Sequence, residues 1–410
     1  MNEPRPIPIM SERRVTLIGA LIVALGPMSM ALYTPAMPAI AHDLATSDAA
    51  VQFTVPVFFA GFAFAQILIG PLADAFGRRP VTLVLLSLYI VASAVAAIAP
   101  SIEILLAARL VQGIGCAIGF AISRAIIRDL FDDENSAKIM NLIVVVLAAG
   151  PSAAPFLGGI VIELMGWHAV FWFMVGLGAA AIVLVFFLLV ETGSPDPSQF
   201  RPKALAATYS RILMNRCFLL ASLVVGGTNG VIYAQATLLS FVLIGEVGLS
   251  PRAFGISMVM QTGMFFLGSV TVRLLLRRVS AARLVPVGLA LVGVASVAFP
   301  LLFLLYPPSF LTVMGPVAVF CYGIAFTLPA MMTAAMRPFP QSAGVASSML
   351  GFIQTGSGMA GGAVGSLFAD PALALATVVP AMGVTAIVSW LLWRHFGCSL
   401  DLPDSSPEPV

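Results

Sequence analysis

Long runs of apolar residues, separated by short polar segments, dominate the chain. A helix that crosses a bilayer needs about 20 predominantly apolar residues. We expect twelve such spans, at 15–38, 52–72, 80–99, 102–127, 139–162, 168–190, 217–244, 253–273, 284–305, 311–335, 343–368 and 373–393. The pattern therefore predicts an all-α integral membrane protein with twelve transmembrane helices.

One polar, proline-containing segment at 191–215 is longer than the other connections and separates six spans from six. This arrangement favours two pseudo-symmetric six-helix bundles around a site near the bilayer midplane. The expected divisions are a cytoplasmic N-terminal tail at 1–14, a first bundle at 15–190, a cytoplasmic central loop at 191–215, a second bundle at 216–393 and a cytoplasmic tail at 394–410.

Composition and charge support a membrane protein. Of 410 residues, 60% are hydrophobic and 9% are charged, against about 25% charged in soluble proteins. With the N-terminus in the cytoplasm, all but Arg109, Arg124 and Arg252 of the 20 Lys and Arg residues lie at that face. Because positive residues concentrate in cytoplasmic loops, both termini are expected there. The net charge of +2 reflects this sorting and does not indicate a nucleic-acid partner.

Catalytic and metal-binding patterns are not evident in the sequence. The four cysteines are scattered and form no C-x-x-C pair, so we expect no disulfide and no metal site. The chain has no phosphate-binding Walker loop and no set of catalytic residues within the spans. We therefore expect no cofactor and no enzymatic activity.

The fourth predicted span contains an arginine, Arg109, at a depth where charge is costly. A guanidinium in hydrocarbon costs from about 3 to more than 10 kcal/mol. Arg109, Gly113, Cys116, Phe120 and Ser123 fall on one helical stripe at 100° per residue. This mixture is typical of a helix that lines a polar pathway, although a membrane arginine also serves in some proteins to join two helices.

A short charged loop between the second and third spans reads GPLADAFGRRP at 70–80. Asp74 can accept hydrogen bonds from Arg78, from Arg128 at the inner end of the fourth span, or from backbone amides at a helix N-terminus. A charge clasp of this kind can break and re-form between two states, or it can be a static loop. The predicted cytoplasmic gate consists of Gly70, Asp74, Gly77, Arg78, Arg79 and Arg128.

Several motifs resemble those of a known transporter family. The 70–80 loop resembles the cytoplasmic signature of the major facilitator superfamily, and Arg109 with Gln112, Gly113 and Gly115 resembles the helix-four signature of its drug:proton antiporters. The run GPSAAPFLGG at 150–159 is similar to their helix-five antiporter motif, which implies a hinge at Gly150, Pro151, Pro155, Gly158 and Gly159. LYTPAMPAI at 32–40 and SRAIIRDLF at 123–131 are similar to the Bcr/CflA multidrug exporters.

One position departs from that family. Its members usually carry an acid in helix one, where this chain has Ala31. Such an acid would titrate and pair with the helix-four arginine. The expected proton-linked residues here are Arg109, Asp129 and Glu163, although Asp129 can instead form a structural salt bridge and Glu163 can be a solvated helix end.

Polar and flexible side chains inside the spans are candidates for a substrate cavity. Methionine adapts its shape to varied apolar molecules, and amides within spans must bond across helices or meet substrate. The expected cavity residues are Met30, Tyr33, Met37, Gln112, Cys116, Phe120, Tyr233 and Gln354. Ordinary helix packing is the alternative for these side chains.

Together these features predict a monomeric secondary transporter in a bacterial inner membrane, in contact with lipid, small-molecule substrates and protons. The resemblance implies export of amphipathic drugs by proton antiport and alternating access. The alternatives are a dedicated exporter of one metabolite or siderophore and, given Ala31, an uncoupled facilitator or sensor.

Overall fold

A computed structural model describes residues 9–131, 133–193, 195–197 and 202–400. The regular structure of these residues is helical throughout. The α-helices are α1 (Glu12–Tyr33), α2 (Met37–Asp43), α3 (Asp48–Phe76), α4 (Arg78–Ala97), α5 (Ile102–Cys116), α6 (Gly119–Leu130), α7 (Asp133–Met165), α8 (Trp167–Leu188), α9 (Pro202–Leu213), α10 (Arg216–Ser240), α11 (Pro251–Leu275), α12 (Ala281–Leu305), α13 (Phe310–Met336), α14 (Ala343–Gly365) and α15 (Pro371–His395).

The described helices confirm the twelve-helix prediction. Within the described residues, ten segments are long and apolar enough to cross a membrane when α1 with α2, α5 with α6, and α10 with the following π-helical turn are each taken as one crossing. Helix α7 adds the apolar segment Ala153–Met165, and α14 occupies the remaining predicted span. Helix α9 lies in the polar central segment.

Two of the crossings are interrupted in ways that hydropathy did not predict. The fourth span ends as α5 at Cys116 and resumes as α6 at Gly119. There, a Cβ on Gly119 would lie 2.5 Å from the Cα of Val23 in α1, so the chain passes that helix in close contact. The first span changes to a 3₁₀ turn at Thr34–Ala36, where Pro35 lacks the N–H that an α-helix requires.

The chain divides into two compact units. The first comprises Met1–Leu205 with Ala236–Val259, and the second comprises Ala206–Gln235 with Met260–Val410. The end of α10 and the start of α11 therefore group with the helices of the N-terminal half. The division into bundles at 191–215 stays a prediction.

Close packing of α3 against α5 organises the first unit. A Cβ on Gly113 in α5 would overlap the carbonyl oxygen of Phe58 in α3, and a Cβ on Gly61 would overlap that of Leu110. Only glycine permits this approach of two backbones. As a result, the Phe58 side chain lies beside the turn of α5 that carries Arg109.

The expectation of no disulfide was wrong. Cys217, at the start of α10, and Cys398, after α15, form a disulfide with a Cα–Cα distance of 5.8 Å. The two cysteines are 181 residues apart, and only the packing of the second unit brings them together. Among the described residues, Cys116 and Cys321 are free and buried.

Candidate functional site around a buried arginine

Arg109 in α5 is fully buried. Its guanidinium carbon lies 4.3 Å from the ring centroid of Tyr33 in α1 and 4.3 Å from that of Phe58 in α3. An aromatic face attracts a cation, most strongly where water is excluded. The two rings therefore offset part of the cost of burying this charge.

Hydrogen bonds hold one edge of the guanidinium. Nη1 of Arg109 donates to Oε1 of Gln112. Nε2 of Gln112 donates to Oγ of Ser93 in α4 at 2.7 Å and lies 3.3 Å from Sδ of Met174 in α8. Three helices therefore fix the orientation of the Arg109 side chain.

The other edge of the guanidinium has no hydrogen-bond partner among the residues that the structure describes. Nε and Nη2 of Arg109 are buried and make no hydrogen bond to a described residue. No carboxylate of the described chain forms an ion pair with Arg109, and Ala31 stands at the position that the resemblance assigns to an acid. A buried unpaired ion costs several kcal/mol. An anion that paired with the free edge of Arg109 would therefore stabilise the site.

Two hydroxyl pairs stabilise the surrounding side chains. The Tyr33 hydroxyl lies 2.6 Å from Oγ1 of Thr54, and the Tyr89 hydroxyl lies 2.6 Å from Oγ of Ser29. Sequence reasoning missed Phe58, Tyr89 and Ser93. The four-residue spacing of Tyr89 and Ser93 in the apolar α4 places both on one helix face and was the available signal.

The remaining predicted cavity residues are divided between the two units. In the first, Met30, Met37 and Cys116 are buried. The side chain of Phe120 is not among those that the structure describes. In the second unit, Nε2 of Gln354 donates to the Tyr233 hydroxyl at 3.5 Å. A role for these residues in a cavity stays a prediction.

The charged loop between α3 and α4 contacts the ends of two other helices. The Arg78 side chain is only 5% exposed, and its Nη1 forms an ion pair with Oδ2 of Asp129 in α6. The same nitrogen donates to Oγ1 of Thr192 at 3.1 Å, and Nη2 lies 3.9 Å from Oδ1 of Asp74. Arg128, the alternative partner considered for Asp74, is exposed.

Glu191, just beyond α8, caps the first turn of α4. Its Oε1 accepts hydrogen bonds from the backbone N–H groups of Arg78 at 3.0 Å and Gly193 at 3.1 Å, and its Oε2 accepts from that of Arg79 at 3.0 Å. Gly77 has φ +93°, and a Cβ there would lie 2.8 Å from Oε2 of Glu191. The chain therefore needs glycine at 77 for its turn and for the close approach of the carboxylate.

We expect Glu191→Gln to destabilise the protein by about 1 kcal/mol, because it removes one acceptor oxygen and a negative charge from the helix N-terminus. The measurement is thermal unfolding in detergent, with hydrogen exchange of the first turn of α4 as a local readout. Glu12→Gln, at an exposed acid in α1, is the control. Equal unfolding temperatures for the two variants would show that the cap contributes nothing.

Of the residues in the predicted helix-five hinge, the structure describes the side-chain surroundings of Pro155, Gly158 and Gly159. Gly150 and Pro151 lie outside the described side chains. A Cβ on Gly158 would lie 2.5 Å from the Leu32 carbonyl oxygen in α1, and one on Gly159 would lie 2.7 Å from the Pro251 carbonyl carbon in α11. Reciprocally, a Cβ on Gly255 in α11 would lie 2.5 Å from the carbonyl oxygen of Pro155. Helices α7 and α11 thus meet backbone to backbone.

The three expected proton-linked residues are not brought together. Asp129 lies roughly 30 Å from Arg109 along α5 and α6 at 1.5 Å per residue, in the ion pair with Arg78. Glu163 in α7 accepts a hydrogen bond from the backbone N–H of Arg252 at 3.1 Å and so caps the start of α11. Both acids serve contacts at helix ends, away from the buried guanidinium.

The apolar helices of spanning length define a multi-pass membrane protein. Residues 19–366 match the Major Facilitator Superfamily. The chain belongs to this family, whose members are transporters rather than enzymes.

Individual relatives support the same assignment. Multidrug resistance protein D of Escherichia coli (strain K12) is 29% identical over 387 residues, covering 93% of this chain and 96% of the relative. Multidrug resistance protein MdtL of Escherichia coli (strain SMS-3-5 / SECEC) is 29% identical over 346 residues, covering 83% and 85%. The crystal structure of a D-xylose-proton symporter superposes with a TM-score of 0.74 at 13% identity, covering 97% of this chain and 99% of that one. The last comparison shows the shared fold.

Proposed function

We propose that the protein exports small amphipathic compounds from the cytoplasm of a bacterium by alternating access. The observation that carries this proposal is the desolvated Arg109, flanked by Tyr33 and Phe58 and lacking a carboxylate partner among the described residues. Ionisable side chains at this depth typically mark a substrate or ion pathway, because their burial is costly. The names of the relatives, multidrug resistance proteins, support an efflux substrate of this kind.

The proposed orientation places both termini in the cytoplasm of a bacterial inner membrane, with 15–190 and 216–393 as the moving bundles. It follows from the concentration of Lys and Arg residues at one face. The Arg78–Asp129 clasp is then cytoplasmic, and the contact of α7 with α11 is periplasmic. The Cys217–Cys398 pair faces the cytoplasm, where thiols are kept reduced, so we expect the dithiol form in the cell.

We propose that inward proton movement drives export, with Asp129 as the proton-linked acid. Its carboxylate holds the largely buried Arg78, so protonation removes the charge that stabilises the clasp and favours its opening. Glu163 caps α11 through a backbone N–H and neutralises no buried cation. The second candidate function is an uncoupled facilitator, which Ala31 favours because it leaves Arg109 without a titrating partner in helix one.

Transport in inverted membrane vesicles tests this function, with chloramphenicol as the neutral probe and ethidium as the cationic probe. We expect chloramphenicol to accumulate only while a pH gradient is maintained. Asp129→Asn should reduce accumulation by about fivefold or more, because it removes the carboxylate that pairs with Arg78, whereas Glu163→Gln, which leaves that pair intact, should change it by less than about twofold.

Two outcomes would contradict the proposal. Equilibration of chloramphenicol without accumulation would identify a facilitator. We propose that the exported compounds are largely uncharged or anionic, because a buried cationic site disfavours a second cation. Robust accumulation of ethidium alone would overturn this part of the proposal.

A further inference from the structure

One edge of the Arg109 guanidinium has no partner among the described residues, and the positions of its N–H groups are fixed by the planar geometry of the group. A guanidinium is planar, and Nε with one Nη presents two parallel N–H bonds. In Arg109 the remaining nitrogen, Nη1, is held by Gln112, whereas Nε and Nη2 are buried without a partner among the described residues. The N–H groups of Nε and Nη2 therefore form a bidentate hydrogen-bond donor of fixed orientation.

A carboxylate matches this edge. Its two oxygens accept two parallel N–H bonds at once, and this charge-assisted pair is stronger than a neutral hydrogen bond. A neutral carbonyl accepts through one oxygen and brings no charge. The edge therefore discriminates between an organic acid and its neutral amide.

The surroundings of the edge favour an aromatic or apolar body attached to that carboxylate. The Tyr33 and Phe58 rings both lie 4.3 Å from the guanidinium carbon, and the Tyr33 hydroxyl is held by Thr54 at 2.6 Å. The Cys116 side chain, also buried, lies one helical turn beyond Gln112 in α5. A ligand that reaches Arg109 thus meets ring faces and apolar groups.

The described part of the chain supplies no competing anion. No described carboxylate pairs with Arg109, and the first helix has Ala31 in the place of an acid. We propose that the Nε–Nη2 edge of Arg109 binds the carboxylate of amphipathic organic monoanions, which are substrates of this protein. The inference rests on the proposed export function and specifies its substrate class.

Equilibrium binding to the purified protein in lipid nanodiscs tests the inference without any gradient. The probes are naphthoate and naphthamide, which have the same ring system and differ in the charge of the head group. We expect naphthoate to bind the wild-type protein at least about tenfold more tightly, as expected for a buried charge-assisted pair.

Two variants locate the effect. Arg109→Gln removes the cation, and Gln112→Glu places a carboxylate at Nη1 that neutralises it. Both should abolish the preference for naphthoate over naphthamide. Arg216→Gln, at the start of α10 where the guanidinium lies 5.3 Å from the Phe396 ring, is the matched control and should retain the preference.

Each result supports or overturns the inference. Equal binding of both probes by the wild-type protein overturns it, and this comparison requires no variant to fold. A preference that persists in Arg109→Gln also overturns it, because the carboxylate then binds elsewhere. Export of chloramphenicol together with equal binding of the probes would leave the proposed function standing and refute only the substrate class.

Discussion

Gly255→Leu is expected to reduce export by about tenfold while the protein remains folded. A Cβ added at this position would lie 2.5 Å from the Pro155 carbonyl oxygen and 2.6 Å from the Phe156 Cα, before the rest of the leucine side chain is considered. Overpacking of this kind costs about 1–3 kcal/mol. Since 1.4 kcal/mol corresponds to a tenfold change in an equilibrium constant, the substitution strongly depopulates the state in which α7 and α11 are in contact.

The readout is the initial rate of chloramphenicol uptake into inverted vesicles at matched protein levels. Gly263→Leu is the control, because Gly263 belongs to the same helix and a Cβ there meets nothing within 4 Å. In each transport cycle the protein must return to the state in which α7 and α11 are in contact. The uptake rate of the Gly255 variant should therefore be low and that of the Gly263 variant normal. Equal rates would show that the α7–α11 contact has no place in the cycle.

Arg78→Met is expected to lower the thermal unfolding temperature by about 2–4 °C, given a loss of about 2–3 kcal/mol and the unfolding entropy of a chain of 410 residues. Arg78 is 5% exposed, and its loss leaves Asp129 without its ion-pair partner and Thr192 without a donor. Because Asp129 retains some exposure to water, the expected loss is below the full cost of a buried unpaired charge.

The neighbouring arginine provides the control for this prediction. Arg79→Met keeps the backbone N–H that donates to Glu191 and removes a partly buried guanidinium whose hydrogen bond to the Phe186 carbonyl oxygen lies at the surface. Exposed polar contacts of this kind contribute about 0–1 kcal/mol. If both variants unfold at the same temperature, the Arg78–Asp129 clasp does not stabilise the protein.

The spans could be predicted because hydropathy responds to the bilayer, which acts on every crossing in the same way. The interruption between Cys116 and Gly119 could not, because it coincides with a close approach of Val23 from another helix. The same limit applies to the Cys217–Cys398 pair, which joins residues 181 apart. Hydropathy carries no information on which helices are neighbours.

The candidate site was predicted in part. The cost of a charge in hydrocarbon singled out Arg109, and the motif spacing singled out Gln112. Phe58 gave no signal, since a phenylalanine in an apolar span is ordinary, and its place beside Arg109 depends on the glycines at 61 and 113. The capping role of Glu191 was not predicted, because a helix cap contributed from another helix has no local sequence pattern.

The Cys217–Cys398 bond changes the connectivity of the chain. When it is formed, the polypeptide from the first turn of α10 to the end of α15 is a covalent ring. A single backbone cleavage between those cysteines then opens the ring without dividing the chain into separate fragments. In the oxidised form, the integrity of the second half is thus independent of any one peptide bond in its loops.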